Sequence, residues 1–164
     1  MQYDSILFDL DGTLWDSVDE IVSIWNAVIA RYPGLRPPIT RQEQESVMGL
    51  QMDEISRRLF PKEAPERQAS LLEECIQAEN RYLYDHGATL YPAVPEVLRQ
   101  LKRRYRLYIV SNCQSGYIEA FLHAHGLEDT FDGFLCFGDT GRGKAENIAE
   151  AVSYTHLDVY KRQP

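Results

Sequence analysis

Basic residues are the scarce class in this chain. Lysine and arginine number 17 against 25 aspartates and glutamates, giving a formal net charge of −8 over 164 residues and a pI near 5.0. Non-specific nucleic-acid binding rests on Lys and Arg neutralising phosphates, so the balance argues against a nucleic-acid partner. It also means that an anionic ligand needs a local positive site. Cysteine is sparse as well. Cys75, Cys113 and Cys136 stand far apart with no CxxC spacing. They read as buried or incidental thiols in a reducing, cytoplasmic compartment. No apolar run approaches membrane-spanning length, which argues against a membrane partner, and the N-terminus enters a strand pattern directly, without signal-peptide features. There is no internal repeat. His123 and His125 are two apart on an expected helix and do not share a face, so a metal pair there is unfavoured. What remains is 44% apolar and 26% charged, enough for one packed domain, or one domain with a small insert.

The chain is organised around Ser5-Ile6-Leu7-Phe8-Asp9-Leu10-Asp11-Gly12-Thr13-Leu14. A short apolar run ended by turn residues predicts a buried strand. Residues i and i+2 of a strand point the same way, so Asp9 and Asp11 can reach one site at its carboxyl end. Gly12 lets the backbone turn and lets a ligand approach. Two such close carboxylates repel unless a cation lies nearby or one holds a proton. A hard cation such as Mg²⁺ prefers carboxylate oxygen and keeps several waters, leaving room for a phosphate. One aspartate could then attack phosphorus while the other moves a proton to the leaving oxygen. The plain alternative is a strand end where Asp and Gly only make the turn.

Phe8-Asp9-Leu10-Asp11-Gly12-Thr13 resembles the first motif of the haloacid dehalogenase superfamily, and its phosphoglycolate-phosphatase-like branch in particular. The resemblance runs through most of Tyr3 to Glu150. It implies an α/β fold, a Rossmann-like parallel sheet carrying an inserted all-helical cap. It implies Asp9 as the nucleophile and Asp11 as the general acid/base, with both on the metal. A halide leaves without a proton, so the second aspartate points to phosphate esters rather than dehalogenation. Ser111-Asn112, ending the β-rich run Arg106-Leu107-Tyr108-Ile109-Val110, resembles the second motif and implies phosphate binding. Lys144, opening a helix after Gly141-Arg142-Gly143, resembles the third, with Arg142 as the fallback.

Taken in order, Ser17-x-x-Glu20 and Thr40-x-x-Glu43 are capping-box patterns. Ile21, Ile24, Trp25, Val28 and Ile29 recur at helical spacing. Short helices are expected to about Met48 and over Glu54 to Phe60. A long helix is expected from Pro65 to His86, with Leu71, Leu72, Cys75, Ile76, Tyr82 and Leu83 inward and Gly87 as C-cap. Residues 15–86 are thus expected to be helical, a cap that closes over the site. Gly49, with Arg57 or Arg58, is a candidate substrate reader. Residues 1–14 and 87–151 are expected to form the core, with strands near 5–9, 106–110 and 133–137; the resemblance implies the order 1-2-3, which leaves strand 1 at an edge. The next helix is expected over Gln114 to His125, with Gly126 as its stop.

The resemblance stops after Glu150, where an apolar strand and an acidic pair completing the metal site are expected and absent. Residues 152–164 are expected to be a non-native tail. Val152 to Gln163 back-translate, after the end of an alanine codon for Ala151, to a string equal to its own reverse complement. It resembles two head-to-head transposase adapter ends. The expectation is therefore a truncated Mg²⁺-dependent phosphatase of a small phosphorylated metabolite, poorly active as it stands. A phosphomutase of the β-phosphoglucomutase type shares all these residues. A non-catalytic interaction module on the same scaffold is the alternative of another class. Oligomeric state and the substrate's identity are left open.

Overall fold

Parallel strands cannot be joined by a tight turn, so each pair needs a crossover. Here the first crossover carries five of the helices. The computed structural model describes the backbone of residues 4–161 and the side chains of residues 4–153. Strand β1 (Ser5–Phe8) leads into β2 (Trp15–Asp16). Helices α1 (Val18–Ile29), α2 (Arg41–Val47), α3 (Met52–Leu59) and α4 (Pro65–His86) follow. Then come β3 (Thr89–Leu90), α5 (Val94–Lys102), β4 (Arg106–Ser111), α6 (Tyr117–His125), β5 (Gly133–Cys136), α7 (Phe137–Thr140) and α8 (Lys144–Lys161).

The main sheet is parallel in the order β1-β4-β5, with β1 at one edge, and the architecture is the expected α/β class. Phe8 is level with Ile109, and Ser111 with Cys136. The carboxyl ends of β1 and β4 therefore finish together. The expectation of helix throughout 15–86 fails at its first two residues. Trp15 and Asp16 form β2, which pairs antiparallel with β3 as Trp15↔Leu90 and Asp16↔Thr89. The chain leaves for the helices and returns from them through this two-stranded stem. Its anchor is Trp15, fully buried against Tyr117 and Phe121.

Local chemistry explains most element ends. Thr40 forms the predicted capping box: its hydroxyl accepts from the Glu43 N–H, and its own N–H donates to Glu43. Pro65 opens α4 at a position that needs no N–H partner, and Gly87, at φ +69°, ends it. Ser17 does not cap α1. Asp16 Oδ1 accepts from the Val18 N–H instead, and the Ser17 hydroxyl turns into the core. Tyr82, expected inward, is 41% exposed and stacks on His86. Helix α6 begins at Tyr117, three residues later than Gln114, after Gly116 at φ +84°, and the Gln114 side chain reaches across to α4. Strand β5 stops at Cys136, and Phe137 opens α7 rather than extending the strand. Helix α8 runs without a break from Lys144 past residue 151 to Lys161; the side chains of the expected tail from residue 154 onward, and the backbone from 162, lie outside the described residues.

The core runs continuously from the sheet into the helices. Leu10, Leu107, Ile109, Ile118 and Phe121 are fully buried on the sheet side, and Leu71, Cys75 and Leu83 on α4. Helix α4 packs on both α1 and α6, which joins the helical stretch to the sheet. Among the described residues, no helix is long and apolar enough to cross a membrane.

Candidate active site

The loop after β1 is held by its own backbone. The Leu10 carbonyl accepts from the N–H groups of Thr13 and Leu14, and the Gly12 N–H donates to the Trp15 carbonyl at 3.0 Å. Gly12 sits at φ +73°, where a side chain would be strained even though the space around it is open. With Leu10 buried, the aspartates on either side of it turn outward. Asp9 and Asp11 both line a cavity of about 150 Å³, together with Met48, Gly49, Ser111, Asn112 and Lys144. The five residues singled out in the sequence thus meet at one place, at the ends of β1 and β4 and the start of α8.

The two aspartates have different surroundings. Asp9 is the exposed one, its side chain 42% accessible. Its Oδ1 accepts from the Leu10 N–H at 2.9 Å, and its Oδ2 pairs with Lys144 Nζ at 2.5 Å. Asp11 is held from below. Trp15 Nε1 at 2.9 Å, Ser17 Oγ at 3.0 Å and Tyr117 OH at 2.7 Å all reach its Oδ1, and none reaches Oδ2. The two hydroxyls lie 2.9 Å apart, so two hydroxyl protons serve three contacts. The indole N–H is the donor with no alternative acceptor there. Burial raises the Asp11 pKa above the ordinary aspartate value, the three donors oppose that rise, and the charge of Asp9 adds to it. Burial also pushes the Tyr117 hydroxyl up, which keeps it protonated as a donor.

Ser111 and Asn112 close the opposite wall. Ser111 is 4% exposed, and its Oγ accepts from the Cys113 N–H at 3.2 Å. Asn112 Nδ2 donates to the Gly49 carbonyl at 2.9 Å, tying the tip of β4 to the loop between α2 and α3. Gly138 fixes this wall from behind: its N–H donates to the Cys113 carbonyl, and a Cβ there would lie 2.0 Å from the Ser115 nitrogen.

Among the other sequence candidates, Gly49 lies at the cavity. Arg57 and Arg58 do not: they pair with Asp53 and Glu54 of their own helix, on an exposed face. Arg142 pairs with Glu150, leaving Lys144 as the cation beside Asp9. Sequence reasoning missed Trp15, Ser17 and Tyr117, the donors to Asp11. It also missed Glu79, a buried acid on α4 that accepts from Trp25 Nε1 and from Gln114 Nε2. A signal existed for Glu79. It follows Cys75 and precedes Leu83 at intervals of four, on the apolar face of the long helix.

Known proteins resemble this chain in sequence and fold. The chain is 35% identical over 130 residues to a phosphoglycolate phosphatase of Synechococcus elongatus, covering 77% of this chain and 58% of that protein. It therefore spans less than two thirds of the length of that relative. Among solved structures, a haloacid dehalogenase-like hydrolase from Bacteroides fragilis superposes with TM-score 0.76 at 26% identity, over 94% of this chain and 74% of the other. A β-phosphoglucomutase from Clostridium difficile superposes with TM-score 0.69 at 19% identity, over 87% and 65%, and shares the fold. The haloacid dehalogenase-like hydrolase family matches residues 6–160, and the chain belongs to that family.

Proposed function

We propose that this chain carries the catalytic groups of a phosphatase acting on a small phosphorylated metabolite, working through an aspartyl-phosphate. The observation that carries the reading is the pairing of a more accessible, lysine-matched Asp9 with a half-buried Asp11 whose Oδ2 is left unengaged, on one cavity. Asp9 is the nucleophile: one of its oxygens bonds to phosphorus as the ester P–O bond breaks. The leaving oxygen takes a proton from Asp11, whose raised pKa suits a donor. Water then attacks phosphorus, Asp11 takes its proton, and the Asp9–phosphorus bond breaks. Lys144 offsets the charge of the phosphoryl oxygens, and Ser111 and Asn112 supply hydrogen bonds to them.

A divalent cation fits this donor set. Asp9 and Asp11 offer hard carboxylate oxygens on a cavity with room for water, as Mg²⁺ prefers. Among the described residues they have no third His, Cys, Asp or Glu beside them to form a larger cluster. When bound, the cation would neutralise charge on the transferring group. The three buried, unpaired thiols support a reducing, cytoplasmic setting.

The test is phosphate release from a panel of simple phosphate esters with Mg²⁺, for the chain and for Asp9→Asn. Release that depends on Asp9 supports the reading. Full activity in Asp9→Asn overturns it and favours a different role for the scaffold. A phosphomutase would use the same groups but pass the phosphoryl group to a sugar hydroxyl. Phosphate release without a bisphosphate intermediate separates the two.

A further inference from the structure

A second, smaller cavity of about 40 Å³ continues the site cavity inward, and Asp11, Met48, Gly49, Ser111 and Asn112 line both. Its far walls are Ile21, Trp25, Leu50, Glu79, Gln114 and Gln44, so it lies between the helices and the sheet tip. A substrate reaching inward from a phosphoryl group on Asp9 enters this space; the other cavity beside Asp11 and Met48, of about 230 Å³, holds Arg41, already matched by Asp16, Asp19 and Glu45.

The two buried side-chain atoms of the inner cavity's lining that lack a hydrogen-bond partner are both acceptors. Gln44 is 3% exposed, and its Oε1 is buried with no hydrogen-bond partner. Its Nε2 donates to Met48 Sδ at 3.7 Å, the contact that sets the orientation of the amide. Asn112 repeats the pattern. Its Nδ2 is fixed on the Gly49 carbonyl, and its buried Oδ1 has no partner. Glu79, 3% exposed, adds a carboxyl whose charge is balanced by no cation lining this cavity. Across the inner cavity and the site cavity the one lysine or arginine in the lining is Lys144, already committed to Asp9. Buried acceptors without donors are costly, and a ligand that brings donors relieves that cost, whereas one that brings more acceptors adds to it.

We infer that the leaving alcohol of this enzyme carries a second hydrogen-bond donor, a hydroxyl or an ammonium group, close to its phosphate ester, and is not a carboxylate such as glycolate. The inference rests on the phosphatase reading and concerns the substrate side of the same site. A hydroxyl would donate to Gln44 Oε1 or Asn112 Oδ1. An ammonium group would also be drawn to the Glu79 carboxylate.

Three esters on one two-carbon chain test this: 2-hydroxyethyl phosphate, 2-aminoethyl phosphate and 2-phosphoglycolate. Their kcat/KM with Mg²⁺ is measured at pH 8 on the intact chain. Their affinity for Asp9→Asn, which cannot turn over, is measured by calorimetry. The expected result is that at least one donor-bearing ester exceeds 2-phosphoglycolate roughly ten-fold or more in both measurements. The better of the two tells hydroxyl from ammonium. Gln44→Met should narrow the gap from both sides, weakening the donor-bearing ester and relieving the acceptor conflict that 2-phosphoglycolate meets there. Equal or better use of 2-phosphoglycolate overturns the inference and leaves the phosphatase reading standing. Neither turnover nor binding of any of the three overturns both.

Discussion

Asp11 is the residue whose surroundings are most specific to its proposed task. An acid that must give up a proton needs one oxygen held and the other free, and Trp15, Ser17 and Tyr117 provide that by converging on Oδ1. Tyr117→Phe keeps the ring packed on Trp15 and removes one donor. The expected cost is about 1–3 kcal/mol of folding stability, read by urea unfolding, as for other hydrogen bonds to a charged partner. No change would mean that the hydroxyl contributes nothing to the site. Asp11→Asn keeps the shape and removes the proton donor, so phosphate release should fall by roughly 10²–10⁴-fold. An unchanged rate would remove Asp11 from the mechanism.

Glu79 makes a prediction of its own at this scale. Burial raises its pKa from 4.5 to about 7, against the opposing hydrogen bonds from Gln114 and Trp25. A carboxyl with a raised folded pKa binds more protons folded than unfolded between those two values. Its stability contribution is therefore greatest below about 4.5, falls as pH rises, and is fully lost above about 7. The size is roughly 3 kcal/mol, at about 1.4 kcal/mol per pKa unit. Glu79→Gln should flatten this part of the stability profile, measured as urea midpoints from pH 5 to 8 for both proteins. Parallel profiles would show that Glu79 titrates normally.

At the scale of elements, the site depends on the strand tips being held apart by the right amount. The Gly138 N–H bonds the Cys113 carbonyl, and its missing side chain lets α7 lie against the backbone of Gln114 and Ser115. A methyl group there would sit 2.5 Å from the Gln114 carbonyl carbon, and neither side of that contact is a flexible side chain. Gly138→Ala should therefore cost about 1–3 kcal/mol and shift the Ser111–Asn112 wall, with loss of activity exceeding loss of folded protein. Wild-type stability and turnover in this variant would contradict the close approach.

Elements with a strong local signal were legible in the sequence. The three core strands and the 65–86 helix follow from apolar runs, prolines and capping residues, each a short-range effect, whereas the strand order came only with the family resemblance. The pairing of Asp9 and Asp11 on one cavity was legible for the same reason, since two-residue spacing and a glycine turn settle it locally. The stem of β2 and β3 was not. Its strands are two residues each, far apart in sequence, and show no periodicity of their own. Ser17 was misread because a serine before a helix looks like a cap, and only the fold brings Tyr117 and Asp11 to its hydroxyl. Tyr117, Glu79 and Gln114 act across the contact between helices and sheet, which no local pattern records.

At the scale of the whole molecule, one core runs from the sheet into the helices, and all three thiols lie inside it. Burial pushes Cys75 up to about 12 and raises Cys113 well above its ordinary value. All three are shielded from solvent, so a thiol reagent at neutral pH should label none of them in the folded chain and all three in urea. Rapid labelling of the folded chain would show that the joint between helices and sheet opens readily.

The central claim is that a phosphoryl group passes through Asp9. It is tested by mixing the chain with Mg²⁺ and a phosphate ester it hydrolyses, quenching in acid within one turnover, and mapping the adduct by peptide mass spectrometry. The account predicts a phosphoryl group on Asp9, more of it in Asp11→Asn than in the unaltered chain, and none in Asp9→Asn. Turnover with no phosphorylated peptide, or with the group on another residue, would contradict it.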